Sequence, residues 1–202
     1  MIAKALRQRL NPAKRRELIL DEALQLFTKR HYSIVTVREI AVQCGINVGL
    51  IYHYFDSKDH LFRCALEYAI DQLVAAFEER QRELEDPLSV IMAWLDAHTT
   101  LTPVIARMVK VMADYAAFGM RKPEVDELVS GFYRRERELL EDALRRGIRM
   151  GAFRPVDAPK MARLIGLHLD GIFHGSESRG DHRIEEDIRD LEDVVKYLIV
   201  MR

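Results

Sequence analysis

The chain has 202 residues, 49% of them hydrophobic, and a formal net charge of −1. It therefore has material for a buried core and is neither a disordered acidic chain nor a uniformly basic one. Its longest apolar runs, such as LIVM at 198 to 201, fall far short of the roughly eighteen residues that span a bilayer, and charges interrupt the N-terminus where a signal peptide would be apolar, so a cytoplasmic location is expected.

Charge is unevenly spread. Residues 1–65 hold eleven Lys/Arg against six Asp/Glu, a net +5, which leaves −6 for the remainder. A basic module for a polyanion joined to an acidic module with another task has this asymmetry, although a solvated face of charges has it too. Cys44 and Cys64 show neither metal-ligand spacing nor disulfide density and read as reduced packing residues.

Apolar residues recur at helical spacing nearly throughout, and no stretch alternates as a strand, so the expected fold class is all-α with about nine helices. Leu18, Ile19, Ala23, Leu26 and Phe27 form the inner stripe of a helix over about 13–30. Thr36, with Glu39 three residues on, has the capping-box pattern and starts a short helix over 37–44, which leaves through Gly45. Asn47 caps a second short helix over about 48–54, and Ser57 caps a long one from Lys58 to about Glu85. Asp86 and Pro87 open the next helix, and Pro103 and Pro123 mark later joints. A charge-laced helix over 123–150 ends at Gly151, GAFRPVDAP is a loop, and Asp157 with Pro159 opens a helix to about His174. SESRGDHR, 176–183, reads as a polar connection before a last helix over about 184–200.

Two short helices joined by a Gly turn and braced by a third make a helix-turn-helix, whose second short helix enters the DNA major groove. Ile40, Ala41, Ile46, Ile51 and Phe55 are apolar where the pair must hold together. Gly49 lets backbone approach base edges, at a helix-propensity cost of about 1 kcal/mol relative to Ala. Val48 and Leu50 suit thymine methyls, Tyr52 and His53 suit phosphate or a base, and Lys58 with its helix terminus suits a phosphate. Arg38 reads either as a bidentate guanine contact or as a solvated charge paired with Glu39 or Asp56. KALRQRLNPAKRR, residues 4–16, is either an arm for phosphate or minor groove or a solubilising tail.

The stretch TVREIAVQCGINVGLIYHYFDSKDHLF, 36–62, resembles the DNA-binding signature of the TetR (tetracycline-repressor-like) family of bacterial regulators. The residues that carry the likeness are Thr36, Ile40, Ala41, Gly45, Gly49, Ile51, Tyr52, Tyr54, Phe55, Ser57 and Lys58. The pattern departs at Asn47 and Leu50, which bears on operator sequence. Together the motif and the resemblance nominate Thr36, Val37, Arg38, Asn47, Val48, Gly49, Leu50, Tyr52, His53, Tyr54 and Lys58 as DNA-binding residues.

The resemblance also implies a C-terminal helical domain that binds a small effector and dimerises. Trp94, His98, Thr99, Met108, Met112, Tyr115, Phe118, His168 and Phe173 suit a compliant apolar pocket, and equally an ordinary core. His98, His168, Asp170 and His174 do not form a recognisable metal motif, so neither metal nor cofactor is expected. Stripes at Ile165, Leu169, Ile172 and at Ile188, Leu191, Val195, Leu198 read as a four-helix dimer interface, though packing within one subunit could use them as well.

The expected domains are 1–57, an N-terminal arm and three-helix DNA-binding unit, and 58–202, for effector binding and dimerisation. The expected function is a ligand-responsive regulator, a repressor by preference, which binds a near-palindromic operator as a homodimer and is released by a partly apolar small molecule. The alternative is an architectural or partner-controlled DNA binder without a ligand. No P-loop, GxGxxG, nucleophile elbow or metal motif suggests an enzyme.

Overall fold

The computed structural model describes residues 10–82, 84–117, 121–180 and 182–201. Residues 1–9 of the basic arm, and the pocket candidate Phe118, lie outside the described residues. Nine helices occur among those described: α1 Pro12–Lys29, α2 Val37–Cys44, α3 Val48–Tyr54, α4 Lys58–Gln81, α5 Pro87–Thr100, α6 Thr102–Ala117, α7 Pro123–Arg149, α8 Ala158–Arg179 and α9 Ile184–Ile199. They contain no strand beyond an isolated antiparallel bridge, Phe153 to Val200. No single helix is long and apolar enough to cross a membrane.

The chain forms two compact units, one of Met1–Asp71 with Lys110–Leu128 and the other of Gln72–Val109 with Val129–Arg202. Local chemistry sets the helix limits in the first. The Asn11 side chain accepts the Lys14 N–H at 2.8 Å, with Pro12 in the first turn. Thr36 and Glu39 cap α2 reciprocally, and Gly45 leaves it in the left-handed conformation, φ 69°, a region costly for a residue with Cβ. Asn47 accepts the Leu50 N–H at 2.7 Å and starts α3.

The core of this unit is built from Ile19, Leu20, Ala23, Leu24 and Phe27 of α1, packed with Ile40, Ala41, Ile51, Phe55 and the Leu61, Ala65, Leu66 and Ala69 face of α4. The α1 stripe is rotated from the expected one: Leu20 and Leu24 are buried, whereas Leu18 and Leu26 are half-buried. Phe27, Tyr32 and Phe62 form an aromatic cluster with centroid separations of 5.1 and 4.6 Å about Phe62.

In the second unit α9 packs against both α8 and α5. This corrects the expected dimer stripes. Ile165 and Leu169 of α8 and Ile188, Leu191 and Val195 of α9 are closed off within the subunit, and Ile172 is half-buried; only Leu198 keeps substantial exposure, 39%. Both helices are apolar on two sides, and the regular stripes are the sides that fill the subunit's own core. The opposite sides leave Leu164, Leu167, Val194, Tyr197 and Met201 exposed.

Two helix ends also differ from expectation. The α4 helix stops at Gln81, while α8 continues through SES to Arg179 and ends at Gly180, φ 66°. The 150–157 loop is clipped to the end of α9 by the Arg154 N–H, donated to the Ile199 carbonyl at 2.8 Å, and by the Arg154 side chain on the Val200 carbonyl. Phe153 from this loop lies against Gly147 of α7 so closely that a Cβ there would fall 2.1 Å from the ring.

Gly147→Ala should therefore destabilise the protein by about 1–3 kcal/mol through overpacking, whereas Gly131→Ala on the same helix, whose Cβ would meet nothing nearer than 3.8 Å, should be neutral or stabilising by up to about 1 kcal/mol. Urea denaturation of the two variants checks the contrast.

Candidate nucleic-acid interface

The α2 and α3 helices present a shared outer surface, and its geometry follows from what is buried beneath it. Ile40, Ala41 and Cys44 face inward from α2, and Ile51 from α3, followed by Phe55 at its end, each 2% exposed or less. On the outer side Arg38, Asn47, Gly49, Tyr52 and His53 are exposed, and Val48, Leu50 and Tyr54 are half-buried. A Cβ at Gly49 would meet only the Asn47 side-chain oxygen, at 3.4 Å. The glycine is thus open to the outside and meets no helix crossing among the described residues, which leaves room for the close approach of an external surface.

Arg38 makes no hydrogen bond or ion pair with a described residue. Its neighbour Glu39 is taken by Arg30 and by Thr36; the Thr36 backbone N–H first, and then Arg30, lower the Glu39 carboxyl to about 2. The expected Arg38 pairing with Glu39 or Asp56 does not occur, and its five N–H donors stay available for a base or phosphate. Lys14 and Arg16 are exposed in the first turn of α1, and the Arg16 guanidinium lies 5.5 Å from the Phe55 ring centroid.

Two nominated residues are corrected. Val37 is only 9% exposed; it lies in the first turn of α2 and closes the core instead of facing outward. Lys58 does not point to a phosphate. Its ammonium donates to the carbonyls of Tyr32 at 3.0 Å, Ser33 at 3.3 Å and Val35 at 3.1 Å, and it lies 4.3 Å from the Tyr32 ring centroid. All three donors are consumed, and burial lowers its pKa. Lys58 braces the α1–α2 loop against the start of α4. A lysine that caps carbonyls cannot be told from one that meets phosphate until the loop's path is known.

The pocket candidates divide. Met112 and Tyr115 are buried in the first unit. There the Tyr115 hydroxyl bonds Asp126 at 3.1 Å, and Tyr115 lines a cleft of about 470 Å³ with Tyr32, Phe62, Asp59, His60 and Lys122. An ion pair joins Lys122 to Asp59.

Trp94, His98, Met108 and Phe173 are buried in the second unit. His98 Nδ1 lies 2.8 Å from the Trp94 carbonyl, and burial pushes its pKa down to about 4, so the ring is neutral. His168 is corrected: it is exposed on α8, where Nδ1 meets the Leu164 carbonyl at 2.9 Å. No group of three metal-binding side chains occurs among the described residues.

Sequence reasoning misses the role of several polar residues in this unit. Glu136 of α7 is buried and accepts the Trp94 indole N–H at 3.1 Å, and burial raises its carboxyl to about 7. The Tyr133 hydroxyl donates to Asp170 at 3.2 Å; burial raises both their pKa values. Asp170 is thus a hydrogen-bond acceptor in this unit, and Ser176, on the same helix, is also buried. A signal for Glu136 does exist in the sequence, since it stands one turn from Phe132 and one from Leu140 on an apolar stripe.

These helices define a DNA-binding protein of the helix-turn-helix class. Residues 19–65 match the model for bacterial regulatory proteins of the tetR family, and residues 87–191 match that for the C-terminal domain of BetI-type transcriptional repressors. The chain is 31% identical over 149 residues to the HTH-type transcriptional repressor KstR2 of Rhodococcus jostii, covering 69% of this chain and 68% of that one. It is also similar to the crystal structure of the TetR-family regulator PfmR from Thermus thermophilus, with a TM-score of 0.73, 28% identity and coverage of 89% and 97%. A putative regulator from Saccharomonospora viridis, solved with choline, has the same fold at a TM-score of 0.80, 20% identity and coverage of 94% and 100%. The chain belongs to the TetR family and is a DNA-binding transcriptional regulator, not an enzyme.

Two outcomes separate the interface from its scaffold. Gly49→Ala should leave the melting temperature unchanged or higher, because helix propensity favours Ala by up to about 1 kcal/mol, while lowering operator affinity. Lys58→Ala should cost about 1.5–3 kcal/mol of stability by freeing carbonyls from a charged donor, yet leave the salt dependence of DNA binding unaltered. A salt slope that falls by about one unit for Lys58→Ala would restore a phosphate contact.

Proposed function

We propose that the protein is a ligand-responsive transcriptional repressor that acts in the cytoplasm, binds a near-palindromic operator as a homodimer, and is released by a small-molecule effector. One observation carries the DNA-binding half of this reading: the open Gly49 backbone sits among outward-facing Arg38, Tyr52 and His53 on a helix pair anchored by its own core. The name of the Rhodococcus jostii relative, a repressor, supports the direction of control. The functional division follows 1–57 for DNA and 58–202 for effector and self-association.

The dimer would be formed by the exposed sides of α8 and α9. Leu164 and Leu167 at i, i+3, and Val194, Tyr197 and Leu198 at i, i+3, i+4, with Met201 beyond, are each between 39% and 59% exposed. A contiguous apolar face of this kind marks an interface, and a two-fold axis makes it self-complementary. Two recognition helices about 34–36 Å apart then read successive major-groove turns. An effector releases DNA only by binding a state with another spacing more tightly than the DNA-compatible one. The α4 helix is the natural carrier, because it starts at the Lys58 brace and continues to Gln81.

Selection from a random DNA pool should return an inverted repeat with half-sites about one helical turn apart; an asymmetric preferred site would sink the dimeric reading. The double variant Leu167→Glu, Tyr197→Glu should be monomeric by light scattering and bind that site at least about a hundredfold more weakly, since each monomer engages a single half-site.

A further inference from the structure

The cleft of the first unit lies beside the brace that carries the reading helices. It holds about 470 Å³ and is formed by Tyr32 of the α1–α2 loop, the first turns of α4, Tyr115 of α6 and the start of α7. That volume is in the range of small-molecule sites. Three rings run along it: the centroids of Tyr32 and Phe62 are 4.6 Å apart, and those of Phe62 and Tyr115 5.9 Å. Phe62 and Tyr115 are buried, and the Tyr115 hydroxyl is held by Asp126 at 3.1 Å, so the aromatic wall is already in place without a ligand.

The charges that line the cleft cancel. Lys122 is paired with Asp59, and Arg63 donates to Glu67 at 3.1 Å, so both bases are engaged. Glu124 is exposed at the rim. An anion would have to draw Lys122 from Asp59 while meeting that carboxylate, and a cation would find an unengaged carboxylate only in Glu124, where water screens it. What remains unspent is His60. Its Nδ1 accepts the Asp56 N–H at 3.1 Å, which assigns the proton of the neutral ring to Nε2, and no described residue accepts that proton.

We propose that this cleft binds an uncharged planar aromatic molecule with a hydrogen-bond acceptor, a phenol or fused-ring phenol in class, which lies against Tyr32, Phe62 and Tyr115 and accepts from His60 Nε2. Offset and edge contacts between rings add to the area buried, and a neutral acceptor takes the His60 donor with no charge to desolvate. The lining lies wholly in the first unit, so the site does not rest on the effector reading above. The Tyr32 carbonyl accepts from Lys58, and its ring lies 4.3 Å from that ammonium. A ligand that presses on Tyr32 therefore acts on the loop leading into α2, and its regulatory meaning rests only on the family's DNA binding.

The probes are 2-naphthol, its saturated counterpart decahydro-2-naphthol, 2-naphthoate and (2-naphthyl)methylammonium, each titrated into the full-length protein with isotope-labelled valine methyl groups. Val125 lines this cleft, and Val74 lies in the second unit. Expected is a saturable shift of the Val125 methyl resonances with 2-naphthol that precedes any at Val74, and affinity at least about fivefold weaker for each of the other three compounds. His60→Phe keeps a ring beside Phe55 but removes the donor, and with an unchanged circular dichroism spectrum it should weaken 2-naphthol about fivefold. Should that variant fail to fold, Glu124→Trp changes only the exposed rim and should weaken binding by a similar factor as its ring fills the opening. No saturable shift at Val125, a shift at Val74 without one at Val125, equal affinity for the saturated or a charged analogue, or unaltered binding by the folded variant overturns the proposal. Operator affinity is measured with and without saturating 2-naphthol: a change of about fivefold or more that His60→Phe abolishes supports the regulatory meaning, and an unchanged affinity removes it while the Val125 shift upholds the site.

Discussion

The DNA-reading half of the protein depends on a half-buried lysine ammonium that spends its donors on its own chain. Lys58 ties three carbonyls of the α1–α2 loop to the first turn of α4, and the loop in turn fixes where Thr36 begins α2. Backbone carbonyls left unpaired beneath an aromatic cluster would each cost of the order of a hydrogen bond. This brace and the Phe27, Tyr32 and Phe62 rings beside it tie the loop that leads into α2 to the start of α4. Everything outward-facing on α3 inherits its precision from that support, since a reading surface is only as well placed as the residues under it.

The recognition surface and the buried polar site of the second unit solve opposite problems. On α3 the polar groups are exposed and face outward, which suits a surface that will be desolvated by DNA. Around Glu136 the polar groups are buried or half-buried. Trp94 supplies one hydrogen bond, Tyr133 satisfies Asp170, and His98 is held neutral against the Trp94 carbonyl. A carboxyl with a single donor and a like charge nearby is pushed toward the acid, which is why burial dominates its titration. An all-apolar core of the same helices would be simpler to stabilise.

Much of the first unit was legible because its signals are local. Capping by Thr36, Glu39 and Asn47, and the left-handed turn at Gly45, involve residues within four positions of one another, and the limits of α2 and α3 agree with them. Where the partner lay elsewhere in the chain, reading failed. Lys58 meets carbonyls 23 to 26 residues away, and Val37 closes a core assembled from other helices. The end of α8 was misplaced because SES is polar yet helical, and Ser176 is buried on its inner face.

The chain by itself determined that the protein is helical, where most of its helices begin, and that a helix-turn-helix with an exposed glycine stands near its N-terminus; periodicity, caps and turn residues act over a few positions and are written in order. Only the tertiary structure decided which of two apolar sides of α8 and α9 fills the core, that Lys58 is a brace, and that no basic side chain among the described residues pairs with Glu136. Those outcomes depend on what an apolar stripe or a charge meets across the fold, and a helix with two apolar faces carries no local mark of which one its own subunit will cover.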